Sequence, residues 1–182
     1  TLPDANPQDP AASDWKGSNW KDWMQGLNEI TEGILQVLEG LFVVASDCES
    51  PSEAIRAAAQ IMGKDHPDVV AAFEERESLG SIVVAEHGLW LLHARTDSAR
   101  SLHFGVLRFK APFSFDGQKA DTAVVMLAPQ NISEKKIDVL RQISRTIAED
   151  IAFLTLLKRG TVEELYLALE AIFKKYFDQA RS

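Results

Sequence analysis

One cysteine, Cys48, stands in this chain of 182 residues. It can close no disulfide within the chain, and a cage of thiolates around a metal is excluded. A reducing, cytoplasmic setting fits that scarcity. No apolar run is long. Leu89–Leu92 and Ala123–Ala128 are typical, whereas a membrane-spanning helix needs about 20 residues, so no membrane span is expected. The N-terminus lacks the basic-then-apolar pattern of a secretory leader. Positive charge is also short: 19 Lys and Arg face 27 Asp and Glu, for a net charge of −8. An acidic domain repels nucleic-acid phosphates, so direct nucleic-acid binding by this segment is not expected. The chain has no P-loop, no dinucleotide-binding glycine signature and no HExxH metal motif. It has no Gly-x-Ser-x-Gly nucleophile elbow either. Nothing in the sequence asks for a metal or an organic cofactor.

What remains is an ordinary globular mixture, 46% hydrophobic and 25% charged, long enough to bury one substantial core. Residues 1–13 hold Pro3, Pro7 and Pro10 among small polar neighbours. This composition reads as a flexible linker or tail. Residues 14–40 read as an N-terminal helical extension. Trp20, Trp23, Met24 and Leu27 repeat at helical spacing, and Gly17, Gly26 and Gly33 are expected to weaken or divide the helix. Trp15, Trp20 and Trp23 suit packing on the domain that follows, with docking to another domain as the alternative.

The rest, residues 41–182, reads as the main domain. Leu41–Ala45 is a short strand. Ser50-Pro51-Ser52-Glu53 is a helix start, with Ser50 as cap, Pro51 at the first helical position and Glu53 able to reach back. A helix over about Pro67–Leu79 points Val69, Val70 and Phe73 inward, with Gly80 ending it. Ser81–Ala85, Leu89–Ala94, Leu102–Lys110 and Thr122–Ala128 read as strands between turn signals. Ile137, Leu140, Ile143 and Ile147 share one face of a helix capped by Ser133. Thr161 with Glu164 makes a second capping box, and Leu165, Leu169, Ile172 and Tyr176 carry the last helix. Helices, clustered strands and helices again predict an α/β fold: a central mixed sheet of about four or five strands flanked by helices.

Candidate chemistry rests on His66, His87, His93 and His103. His66 precedes Pro67 and reads as a surface residue. His103 lies in an apolar strand and suits a hydrogen-bonded, half-buried role. His87 and His93 share the parity of an extended strand, with Trp90 and Leu92 on the other face. His93 is expected at the strand's end, where α/β sheets tend to place functional groups. A metal site built from His87 and His93 has no supporting carboxylate or thiolate spacing.

The segment Gly88-Leu89-Trp90-Leu91-Leu92-His93-Ala94-Arg95-Thr96-Asp97 resembles the Gly-x-Ala-x-Pro-His-(Ala/Gly) segment of fructose- and mannitol-type IIA domains of the bacterial sugar phosphotransferase system. Glu53-Ala54-Ile55, Glu75-Arg76-Glu77, Ala123–Pro129 and Ser133–Ile147 resemble the family's other landmarks in order. The resemblance implies that His93 accepts a phosphoryl group. It implies that Arg76 holds the phosphoryl oxygens; on strand parity, His87 is a hydrogen-bond donor to His93 if it lies beside it. It also implies HPr or another phosphorylated component as donor, and a IIB-like domain as partner. Three departures stand out. Leu92 replaces the usual proline, the stretch from Arg76 to His93 is one residue longer, and Lys136 occupies the position of the mannitol-type second histidine. The segment Leu91-Leu92-His93-Ala94-Arg95-Thr96-Asp97 resembles the version in IIA-like domains appended to phosphotransferase-controlled regulators, and with the linker-like start it resembles most the C-terminal IIA-like domain of a mannitol-operon transcriptional activator, where phosphorylation is a signal. A transport IIA carrier that passes phosphate from HPr to IIB is the second reading. A binding-only domain with an inert His93 is the third.

Overall fold

The computed structural model describes residues 20–63 and 67–182. The linker-like residues 1–13, Trp15, His66 and the side chains of Trp20 and Trp23 lie outside the described residues. The chain runs α1 (Trp20–Glu39), β1 (Phe42–Ser46), α2 (Pro51–Ile61), α3 (Pro67–Ser78) and β2 (Ile82–Val84). A single 3-10 turn, Ala85–His87, leads into β3 (Leu89–Thr96), β4 (His103–Phe115) and β5 (Gln118–Pro129). Three helices close the chain: α4 (Glu134–Glu149), α5 (Ile151–Arg159) and α6 (Val162–Arg181). The five strands form one mixed sheet in the order β1-β4-β5-β3-β2. β1 pairs with β4 and β3 with β5 in parallel, while β4–β5 and β2–β3 are antiparallel.

Strand alternation splits the interior into two cores. Trp90, Leu92, Leu107, Val125 and Leu127 face α2 and α3, where Ala58, Val69 and Phe73 meet them. Leu89, Phe104, Val106, Val124 and Met126 face the other way, onto α1, α4, α5 and α6. The local start signals read in the sequence are present as hydrogen bonds. Ser50 accepts from the Glu53 N–H, and Ser133 accepts from that of Lys136. Thr161 and Glu164 form a reciprocal capping box.

One expectation is corrected, and two features go beyond what the sequence indicated. The correction is that α1 is one continuous helix through Gly26 and Gly33. A Cβ at Gly33 would meet Val139 at 3.2 Å and Leu102 at 3.3 Å, so the glycine gives up helix propensity for a close approach to α4. The turn between β4 and β5 falls at Asp116 and Gly117, both at positive φ, and closes a hairpin longer than the sequence runs suggest. The helical region after Ser133 breaks at Asp150, whose side chain accepts from the N–H groups of Ala152 and Phe153 and starts α5.

The far end of α5 has an unusual stopper. Arg108, on β4, donates to the carbonyls of Leu156, Leu157 and Gly160 at 2.8–3.1 Å. The Leu156 carbonyl also accepts from the Gly160 N–H, whereas those of Leu157 and Gly160 lie at the end of the helix, where no further turn supplies a donor. Arg108→Met should cost about 2–3 kcal/mol, since charged hydrogen bonds are lost and buried acceptors orphaned. Urea unfolding followed by circular dichroism would measure it, and a loss below about 0.5 kcal/mol would refute the role.

Candidate functional site

His93 lies on β3 opposite Met126 of β5. It is not at the strand's end, because β3 runs on to Thr96. The end that matters belongs to β2, whose pairing stops at Ile82 opposite Leu91. Just past that point the sheet's edge is open. This gap is what lets α3 take part. α3 packs on the opposite core through Val69 and Phe73, yet Arg76 near its end reaches round the edge. Its Nε donates to His93 Nε2 at 3.4 Å, and its Nη1 is held by the Gly80 carbonyl at 3.1 Å.

The neighbouring Glu77 fixes the end of the helix. It accepts from Trp90 Nε1 at 3.1 Å and from the Ser81 hydroxyl. Trp90 is fully buried, so the indole ties the arginine-bearing helix to the histidine-bearing strand.

An imidazole that accepts at Nε2 carries its proton on Nδ1. Its acidity agrees with a neutral ring. Burial, reinforced by the Arg76 guanidinium, holds the His93 pKa below the ordinary histidine value. Arg95 acts in the same direction more weakly. A hydrogen bond to the Leu91 backbone and the Glu77 charge oppose these effects only in part. Near neutral pH the ring therefore keeps Nε2 unprotonated, its lone pair accepting from the guanidinium. A nucleophile that takes an anionic group needs that arrangement. His93 opens into a groove of about 300 Å³ between β3 and α4, whose walls include Leu91, Met126, Ile137 and Leu140. The groove is mostly apolar, with Arg95 and Arg141 as its other charged residues.

His87 is not part of this site. It falls in the 3-10 turn before β3, and at about 3.3 Å per strand residue its separation from His93 rules out a hydrogen bond. Equal parity places two side chains on one face, not beside each other. Its carbonyl instead accepts from Lys158 at 2.7 Å. Lys136 also points elsewhere. It pairs with Glu32 of α1 at 3.0 Å and lines a separate polar pocket with Arg100, Asn131 and Ser133. His103 is half-buried and shares a hydrogen bond with Ser101 at 3.3 Å. Among the described residues no three His, Cys, Asp or Glu side chains converge as a metal would require. No helix among them is long and apolar enough to cross a membrane. Sequence reasoning did not single out Arg141 or Arg95; nothing in their local pattern sets them apart from solvated helix and strand charges.

A family model described as the phosphoenolpyruvate-dependent sugar phosphotransferase system, EIIA 2, matches residues 37–172. The chain belongs to that family. The match contains His93, Arg76 and the whole sheet, and leaves most of α1 and the last turns of α6 outside. A nitrogen regulatory protein of Pseudomonas aeruginosa is 29% identical over 125 residues, covering 64% of this chain and 80% of that protein. Among solved structures, the nitrogen regulatory protein IIA-Ntr of Neisseria meningitidis aligns with a TM-score of 0.61 and 21% identity, over 72% of this chain and 97% of that one. The mannitol IIA enzyme of Escherichia coli, solved as a complex with phosphorylated mannitol IIB, aligns with a TM-score of 0.52 and 22% identity. That alignment covers 73% of this chain and 94% of the other. This IIA domain therefore shares its fold with relatives named both for regulation and for mannitol transfer.

Proposed function

We propose that this IIA domain accepts a phosphoryl group on Nε2 of His93 and uses it as a signal, as a regulatory IIA-like domain of a sugar-operon transcription regulator would. The observation that supports the acceptor role most strongly is the Arg76–His93 contact. It joins a neutral imidazole lone pair to a guanidinium that reaches it from the other side of the sheet. The donor would be phosphorylated HPr or another phosphorylated component of the phosphotransferase system. As the donor's P–N bond breaks, the Arg76 Nε–H releases His93 Nε2 and turns to the phosphoryl oxygens, and a new P–N bond forms at that nitrogen. The proton stays on Nδ1, so the ring becomes a phosphoimidazolium whose charge the Leu91 backbone can share. Such transfers depend on positioning and on charge stabilisation. Arg76 supplies both, because its Nη1 is already fixed on Gly80.

The regulatory side of the reading rests on the departures from the transport pattern. Lys136 is tied to α1 through Glu32, so it cannot substitute for a second active-site histidine. Leu92, at the usual proline position, is a fully buried core residue. The nitrogen regulatory relatives point the same way. A transport carrier that hands its phosphate to a IIB domain is the second reading, favoured by the mannitol IIA neighbour.

Incubation with phosphoenolpyruvate, enzyme I and HPr should place acid-labile label on the wild-type domain. The His93→Ala variant should take up none while keeping its circular-dichroism spectrum. Label on both proteins would sink the His93 assignment. Rapid onward transfer to a IIB protein would favour the carrier over the signal.

A further inference from the structure

The groove beside His93 has a cation on its far wall that the acceptor reading does not use. Arg141 lies on α4, one turn past Ile137, and lines the groove with Leu140 and His93. Its Nη1 donates to Glu134 at 2.8 Å and to Asp138 at 2.6 Å. Both bonds leave from one nitrogen. Nε and Nη2, which carry the guanidinium's other donors, make no hydrogen bond to protein among the described residues. Two carboxylates therefore neutralise Arg141, a residue of the groove's lining, through one nitrogen and leave the rest of its fork without a protein partner among the described residues. The Arg141 side chain is 53% exposed and that of Glu134 76%, so the Glu134 pair is solvent-screened and exchanges partners at small cost; Asp138 is 33% exposed and also accepts from the Tyr176 hydroxyl.

We infer that Arg141 is a second phosphate-contacting cation of this site, held in reserve by Glu134 and Asp138 until His93 is phosphorylated. The inference rests on the acceptor reading of His93. A phosphoryl group brings a charge of about −1.5 to −2 and strong acceptor oxygens. Arg76 meets it from the α3 side, and Arg141 meets it from the α4 side by turning its guanidinium away from its own helix. No covalent step is added: the phosphoryl group stays on Nε2, and only ion pairs change. Lys136, five residues earlier on α4, cannot do this, because Glu32 holds it over a different pocket. The carboxylates compete with the phosphoryl group for one arginine, so removing the arginine and removing a carboxylate should have opposite effects.

The test is the lifetime of the labelled domain after the donor proteins are removed, in the full 182-residue chain. Arg141→Gln should shorten it by about threefold, the size of one exposed charge pair. Glu134→Gln should lengthen it by about twofold, since it frees the arginine. In the Arg141→Gln background, Glu134→Gln should change little, because its effect passes through the arginine. Arg145→Gln, an exposed change one turn further along α4, should leave the lifetime unaltered and serves as the charge control. Equal lifetimes for wild type, Arg141→Gln and Glu134→Gln would overturn the inference while leaving the acceptor reading intact. Shifts of Arg141→Gln and Glu134→Gln in the same direction would overturn it too, as the mark of a purely structural role. A wild-type chain that takes no label overturns both.

Discussion

Arg76→Gln should slow phosphorylation of His93 by about 10²–10³-fold, the usual loss when one preorganised donor is removed from developing anionic charge. The variant should fold normally, because Arg76 bonds at the sheet's rim and fills no core position. Its pH profile should move as well. In the wild type, His93 titrates below the ordinary histidine value, so the acid limb of the rate should lie below about pH 6.5. Burial is the larger cause and Arg76 the second. Without the guanidinium the limb should shift up towards pH 6.5 without reaching it. The same asymmetry bears on folding. The unfolded chain binds a proton at His93 more readily than the folded one does. Stability from keeping this ring neutral is therefore complete above about pH 6.5, and it is lost as pH falls from there through the lowered folded value. Arg76→Lys should recover only part of the rate, because an ammonium cannot hold Gly80 and the phosphoryl oxygens with one planar fork. A rate for Arg76→Gln within threefold of wild type would remove the arginine from the mechanism.

Trp90→Ala should be the most damaging single change outside the acceptor pair. Trp90 is fully buried and packs in a tilted arrangement on Phe115, 4.9 Å between ring centroids, with an edge contact to Phe113 at 6.5 Å. Emptying that volume costs about 3–5 kcal/mol, a large share of the 5–15 kcal/mol that holds a typical domain together. Trp90→Phe keeps most of the ring but leaves Glu77 without its indole donor, and should cost about 1–2 kcal/mol. Urea unfolding at unchanged m-value would read both. In Trp90→Phe the phosphorylation rate should also fall, because the end of α3 that carries Arg76 loses its tie to β3. A stable Trp90→Ala variant with wild-type phosphotransfer would separate the indole from the site.

Much of this architecture was legible because it is local. Ser50 with Pro51, Ser133, and Thr161 with Glu164 mark helix starts through bonds spanning three residues, and a sequence shows such spacings directly. The alternation that put Trp90 and Leu92 opposite His93 is equally local. The site was legible only in part. Arg76 and His93 follow from the resemblance, but their approach depends on where β2 stops, which no spacing announces. His87 misled because parity fixes a face and leaves distance open. The Lys136 pair with Glu32 and the Arg108 stopper on α5 join distant parts of the chain. The unbroken α1 follows from packing of Gly33 on Val139 and Leu102, which overrides helix propensity. Asp150 reads as an ordinary surface charge until the break it caps is seen.

The short second strand has a mechanical consequence. Since β2 ends before His93, the histidine belongs to one hydrophobic core and its arginine to a helix seated on the other. A phosphoryl group gripped by both would act as a removable clasp across the rim of the sheet, fastening the two layers while it is present and releasing them when it leaves. The chemical state of one ring would then be felt as the stiffness of the whole sandwich along that rim.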